Sequence, residues 1–370
     1  MEEYIKKKTL KLEILTPVHI SDGAEGEIIP LEYVVSDNKI LHKIRLGRFI
    51  DLMAEDKKDR LNTLIEAEDI LKLRDFIRNT WQEEPEKYSS CIEYSMNAGD
   101  LYELYRDMDI QKESQLQLTP FIRSAKTLFI PGSSVKGAFR TAFITGLFGE
   151  AGIDEPPDEP AFDSNIRALN VEAKFLQYRS FDKNNKLKID VLKDPFKCLK
   201  IGDTFLEDGY TNTIYKIHNI RIDKKVNKKE MNIKQFGEFV DEGGRTNIEL
   251  LLDNRYFNKA KNEVGKGFNI DDLTDSCRKF YGDLLEYEKE NYLSEFTEQT
   301  GDSTVTELYN ELIKINREKD FFILRLGRYE GRNSVSFNIK NSQRKDPISR
   351  NFIFKDGRYL PLGWVKATCK

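Results

Sequence analysis

A chain of 370 residues, 39 % hydrophobic and 33 % charged, can hold one large or two medium domains, each able to bury its own core. No apolar run approaches the roughly 20 residues of a membrane span, and the lysine-bearing start leads into a strand pattern, not a signal peptide. A net charge of −4 argues against nonspecific nucleic-acid binding, yet it leaves room for a local basic groove.

Charge is sorted along the chain. From Arg317 to Arg350 there are nine Lys/Arg against four Asp/Glu, whereas Glu150 to Asp163 holds six acids and no base. Cys91, Cys198, Cys277 and Cys369 lie far apart with no paired spacing. Neither zinc nor a disulfide framework is suggested, and a reducing cytoplasm is the expected compartment. No metal or other cofactor is expected.

Thr9 to Thr16 alternates Leu10, Leu12 and Ile14 against Lys11 and Glu13, the pattern of a half-buried strand. It ends in Thr16-Pro-Val-His-Ile-Ser-Asp-Gly23. His19, one of three histidines, is either a base or a ring bonded to a loop carbonyl or to RNA, and the second reading is preferred. Leu31–Val35 and Ile40–Ile44 flank Ser36-Asp-Asn-Lys39 and read as a hairpin. Phe49 to about Thr80 is helical by spacing, and Trp81 to Asp109 is mixed. Tyr88, Tyr94, Tyr102 and Tyr105 could stack on bases, but core edges are the simpler reading. Together, residues 49–109 look like a helical insertion.

Gln115–Arg123 reads as a strand returning to the core, followed by Thr127–Ile130, Pro131-Gly132 and a helix. Ser133 or Ser134 can cap that helix, because a hydroxyl accepts from amides left free in the first turn. Val135, Ala138, Phe139 and Ala142 form its buried face. Lys136 and Arg140 stand four apart on another face, and Gly137, costly in a helix, suggests the close approach of a backbone. Free amides, hydroxyls, a dipole end and two cations in one place favour phosphate. The bland alternative is a capped core helix with two solvated cations. It is not a Walker loop, for no Gly-Lys-Ser/Thr follows a four-residue gap.

Glu150–Asp163 is acidic and proline-rich and reads as an exposed loop that keeps away from RNA. Ile166–Tyr178 resumes as helix. Thr213–Ile222 is a strand whose expected return partner is Arg245–Asp253, with the basic run Asp223–Lys229 beside it. Asp271–Phe296 and Thr304–Arg317 are amphipathic helices, the latter burying Val305, Leu308, Leu312 and Ile315. Phe321–Leu326 is a strand running into Gly327-Arg-Tyr-Glu-Gly-Arg-Asn-Ser334. There Gly327 and Gly331 allow tight turning, and Arg325, Arg328 and Arg332 offer guanidiniums suited to phosphate.

The run Ile130-Pro-Gly-Ser-Ser-Val-Lys-Gly-Ala-Phe-Arg140 resembles the signature of the RAMP superfamily of CRISPR RNA-binding proteins. Four further stretches resemble the subunits of type III-A Csm complexes within that superfamily. They are Leu15–Gly23, Lys193-Asp-Pro-Phe-Lys-Cys-Leu-Lys-Ile-Gly-Asp203, Leu324–Ser334 and Leu360-Pro-Leu-Gly-Trp364. The last two look like the subunit that caps the complex at the 3′ end of the guide.

The resemblance implies an α+β chain of two RRM-like (ferredoxin-like) halves, 1–190 and 191–370. It also implies a non-catalytic subunit that binds crRNA and supports 3′-end maturation. The implied partners are crRNA, other Csm subunits (especially the neighbouring backbone RAMP subunit) and host nucleases, with no membrane. The RNA-binding residues are then His19, Gly132, Ser133, Ser134, Lys136, Gly137, Arg140, Arg325, Gly327, Arg328, Gly331 and Arg332. Two alternatives stay open. One is a metal-dependent endoribonuclease cleaving target RNA, with Asp22 as its acid and Asp203 a weaker candidate; the other is a purely structural assembly cap.

Overall fold

The structure, a computed structural model, describes residues 4–21, 26–106, 116–150, 172–181, 183, 187–221, 235–255, 267–330 and 349–370. At its centre a five-stranded antiparallel sheet runs in the order Leu199–Ile201, Arg245–Asp253, Ile5–Ile14, Trp364–Cys369, Phe322–Arg325. The alternation read at Thr9–Thr16 puts Leu10, Leu12 and Ile14 inward, and Ile248, Leu250 and Leu252 do the same on the next strand. That pattern fixes the register, because a one-residue slip would turn every apolar side chain outward. One hydrophobic cluster joins this sheet to the helices Gly132–Glu150 and Ile270–Glu288.

The sheet draws its strands from both ends of the chain, with Leu10 opposite Cys369. The sequence suggests that the strands starting near Thr9 and Phe321 belong to different halves. The structure places both in this single sheet, with Trp364–Cys369 between them. The α+β class holds.

A second sheet runs Arg358–Pro361, Ser349–Lys355, Asn212–Arg221, Ile92–Asn97, Ile40–Ile44, Tyr33–Val35. The hairpin about Ser36–Lys39 forms as expected, with Tyr33 opposite Lys43. The partner expected for residues 213–222 does not. Asn212–Arg221 pairs with Gln235–Val240, while Arg245–Asp253 joins the central sheet. The strict alternation of Arg245–Asp253 suits a sheet covered by helices on one face. The basic run 223–229 lies outside the described residues, as do the acidic loop beyond Glu150 and residues 166–171 of the expected helix.

The insertion contains the helices Leu46–Asp51, Glu55–Glu66, Ile70–Glu83 and Pro85–Tyr88. The third starts on Asp69, whose side chain accepts from the Lys72 amide at 3.0 Å, and it buries Leu73, Phe76, Ile77 and Trp81. After Tyr88 the chain turns to a strand, Ile92–Asn97, against Ile40–Ile44. Tyr88, Tyr102 and Tyr105 are core residues, and Tyr94 is half-buried beneath the Arg123 guanidinium, 3.9 Å from its ring centre. None of the four is an exposed stacking platform.

Helix Ile270–Glu288 opens on a reciprocal capping box between Asn269 and Asp272. It passes through a π turn, Lys289–Leu293, into Ser294–Thr300. Helix Thr304–Arg317 buries Val305, Tyr309, Leu312, Ile313 and Asn316, a face turned slightly from the expected one. All four cysteines are free. Among the described residues no helix is long and apolar enough to cross a membrane.

Candidate nucleic-acid interface

Helix Gly132–Glu150 forms where the sequence places it, and Val135, Ala138, Phe139 and Ala142 are all buried. Its start differs in one respect. The Gly132 amide donates to the Asp203 carboxylate at 2.8 Å, so the cap comes from 71 residues away and not from Ser133 or Ser134. The Ser134 amide already donates to the Pro131 carbonyl, which places the serines inside the first turn. A carboxylate therefore occupies the dipole end that the sequence offers to phosphate. Asp203, the weaker acid candidate, has this structural role.

Gly132 is required by space. A Cβ there would lie 2.1 Å from the Ile201 carbonyl oxygen, which is backbone and cannot swing away. Gly132→Ala should therefore lose about 1–3 kcal/mol through overpacking, plus part of the Asp203 cap. A urea midpoint unchanged from wild type would contradict this.

The two cations of the helix face protein. Lys136 Nζ donates to the Leu199 carbonyl at 2.9 Å, and its half-buried site lowers its pKa by desolvation. Arg140 donates to Glu172 and to both oxygens of Asp194 at 2.9–3.0 Å, and to the Tyr178 hydroxyl at 3.1 Å. Its guanidinium lies 5.1 Å from the centre of the Phe196 ring. The Asp-Pro-Phe stretch singled out in the sequence is thus the socket of Arg140: Asp194 binds it and Phe196 lies against it.

Another face of the helix opens on a cavity of about 500 Å³. Ser134, Gly137, Ala138 and Thr141, spaced i, i+3, i+4, i+7, form one wall. Ile20 and Ser21 form a second, Gly327, Arg328 and Glu330 a third, and Tyr281 and Arg325 complete it. Three stretches far apart in sequence therefore meet here. Arg328 is exposed at this cavity. Desolvation pushes the Glu330 carboxyl up to about 8, against the opposing pull of Arg325.

The His19 and Gly327 segments are joined backbone to backbone. The Arg328 amide donates to the His19 carbonyl at 2.7 Å. At Gly327 φ is +105° and a Cβ would sit 2.2 Å from that same oxygen, so only glycine fits. The His19 ring is 1 % exposed, its Nδ1–H donates to the Glu238 carbonyl at 2.6 Å, and Phe239 and Tyr329 lie 5.2 and 5.5 Å from its centroid. Desolvation drops its pKa to about 4, although the Glu238 contacts pull the other way. This is the carbonyl-bonded histidine of the sequence reading.

Arg325 does not face the cavity mouth as a free cation. It is 3 % exposed, donates to both oxygens of Glu288 at 3.1 and 3.2 Å and to the Leu362 carbonyl at 3.0 Å, and lies 4.7 Å from the centre of the Trp364 ring. Arg350 reaches the same carboxylate at 3.0 Å, and the Tyr309 hydroxyl donates to it at 2.7 Å. Arg325 and Arg350 flank the stretch 331–348, so Glu288 ties its two stems together. Gly331, Arg332 and Asp22 lie outside the described residues. Among the described residues no group of three or more His, Cys, Asp or Glu is arranged to hold a metal ion.

Sequence reading missed Thr141, Tyr281, Glu288 and Glu330. For Glu288 a signal existed: it continues the buried series Leu273, Cys277, Phe280, Leu284, where an acid is out of place unless paired.

Comparison with known proteins gives a consistent result. A "CRISPR system Cms protein Csm5" from Methanocaldococcus jannaschii is 22 % identical, over 97 % of this chain and 88 % of the relative. A chain in the cryo-EM structure of a Csm-crRNA-target RNA ternary complex of a type III-A CRISPR-Cas system superposes with a TM-score of 0.65 at 20 % identity. That match covers 98 % of this chain and 100 % of the other. The crystal structure of T. onnurineus Csm5 gives 0.63 at 19 % identity, covering 96 % and 99 %. The sequence profile of the RAMP superfamily matches residues 11–304, and the chain belongs to that superfamily.

Proposed function

We propose that this chain is the crRNA-binding RAMP subunit of a type III-A Csm complex, located in the cytoplasm. In this reading it caps the backbone at the guide 3′ end, contacts the neighbouring backbone subunit, supports maturation of that end through recruited nucleases, and performs no chemistry itself. One observation carries the reading: the signature helix, the His19 loop and the Gly327 loop converge on one cavity with Arg328 exposed at it. The relatives named Csm5, and a fold shared with a chain of a Csm-crRNA complex, support it. We read the five-stranded sheet with its signature helix as one RRM-like unit, and the sheet about Asn212–Arg221 as the second.

The proposed contact set is Ser133, Ser134, Gly137, Gly327 and Arg328, continued by Gly331 and Arg332. Lys136, Arg140, Arg325, His19 and Gly132 set the shape of the surface, since each is already engaged with or enclosed by protein. An exposed arginine on phosphate acts by releasing counterions, so its loss weakens binding for all sequences alike. Arg328→Ala should therefore lower affinity for single-stranded RNA and reduce the salt slope of log K by about one unit. Measuring binding at several salt concentrations tests this. A wild-type affinity and slope would remove Arg328 from the interface and with it the reading.

A further inference from the structure

We infer that the cavity beside Gly137 seats one unstacked nucleobase of the bound RNA, with Arg328 at its rim on the adjoining phosphate. The inference rests on the RNA-binding reading above and adds what the site takes. A surface made only for a phosphate backbone needs cations and amides at a shallow groove. Here about 500 Å³ of space lies between helix and loops, within the range of small-molecule pockets and ample for a nucleotide.

Its chemistry suits a base. Ile20 and Ala138 give apolar contact, and Tyr281, itself buried, backs that wall with its hydroxyl donating to the Ala138 carbonyl at 3.3 Å. Ser21, Ser134, Thr141 and Glu330 supply the few polar groups that fix orientation. RNA is commonly read in this way, through splayed bases bonded at their edges. Depth comes from Gly137, which is exposed and whose added Cβ would meet nothing within 4 Å. Among the described residues no packing demand explains a glycine there, in mid-helix, where it is unfavourable.

The test uses the full chain and a short synthetic single-stranded RNA, intact or carrying one abasic nucleotide moved stepwise through its length. Wild type should lose roughly five- to hundred-fold in affinity when one particular position is abasic, the scale of a base contact. A Cβ on Gly137 meets nothing within 4 Å, so Gly137→Leu, which adds bulk at this cavity wall, should keep the fold, as an unchanged or higher melting temperature would show. It should bind intact and abasic RNA equally, at the level of wild type with the abasic strand. The inference is overturned if no abasic position matters to wild type, if Gly137→Leu binds intact RNA normally, or if that variant still discriminates the abasic strand. Weakened binding by Arg328→Ala in the same series would then leave the RNA-binding reading standing. Unchanged binding by Arg328→Ala would remove both.

Discussion

Glu288→Ala should cost about 3–5 kcal/mol of folding stability, the scale for leaving buried charge without its partner. Glu288, Arg325 and Arg350 are 1, 3 and 5 % exposed. Burial alone would push the Glu288 carboxyl up, but the two guanidiniums outweigh it and hold it below the usual range. Removing the carboxylate leaves two cations and the Tyr309 hydroxyl facing a small void. Glu288→Gln keeps the volume and one acceptor but not the charge, so it should fall between alanine and wild type. Urea midpoints at neutral pH order the three. The penalty comes from unpaired charge and not from lost packing, so a triple change, Glu288→Leu with Arg325→Met and Arg350→Met, should be more stable than Glu288→Ala. A triple variant no better than the single one would show that packing dominates. Because Glu288 joins the stems on either side of 331–348, its alanine variant should also weaken RNA binding where the protein is still folded.

The parts legible in the sequence are those whose cause is local. The signature helix follows from Pro131-Gly132 and the spacing of Val135, Phe139 and Ala142 within a few turns, and the hairpin at Ser36–Lys39 follows from its turn residues. What could not be read are the choices settled between distant segments. Asp203 reaches the start of the signature helix only because Thr204–Phe205 pairs with Phe129–Ile130. The Gly327 loop docks on His19, more than 300 residues earlier in the chain. Arg245–Asp253 had two sheets to join, and alternation alone does not say which. Charge misled in a consistent way. Lys136, Arg140 and Arg325 look in sequence like solvent-facing phosphate ligands, and each has a buried or half-buried protein acceptor. Only Arg328 of the described candidates is an exposed cation.

That docking gives His19 a measurable signature in acid. Its pKa is about 4 in the folded chain against an ordinary value of 6.5, because the ring is desolvated among Phe121, Phe239 and Tyr329. Its Nε2 has no hydrogen-bond partner among the described residues, so an added proton there would find no acceptor. The unfolded chain takes up a proton as pH falls through about 6.5, whereas the folded chain resists until about 4. Between those values the unfolded state binds more protons, so stability must fall as pH falls. His19 stabilises fully above pH 6.5, and over that window about 3 kcal/mol is lost, a shift of roughly 2.5 units at 1.36 kcal/mol each. His42 is also lowered by desolvation and acts in the same direction. The informative quantity is therefore the difference between wild type and His19→Phe, whose ring fits an aromatic box but cannot titrate. Urea titrations from pH 4 to 7 should show a clearly shallower decline for the variant, at the cost of the Glu238 carbonyl's hydrogen bond at every pH. Equal slopes would mean that water reaches the ring.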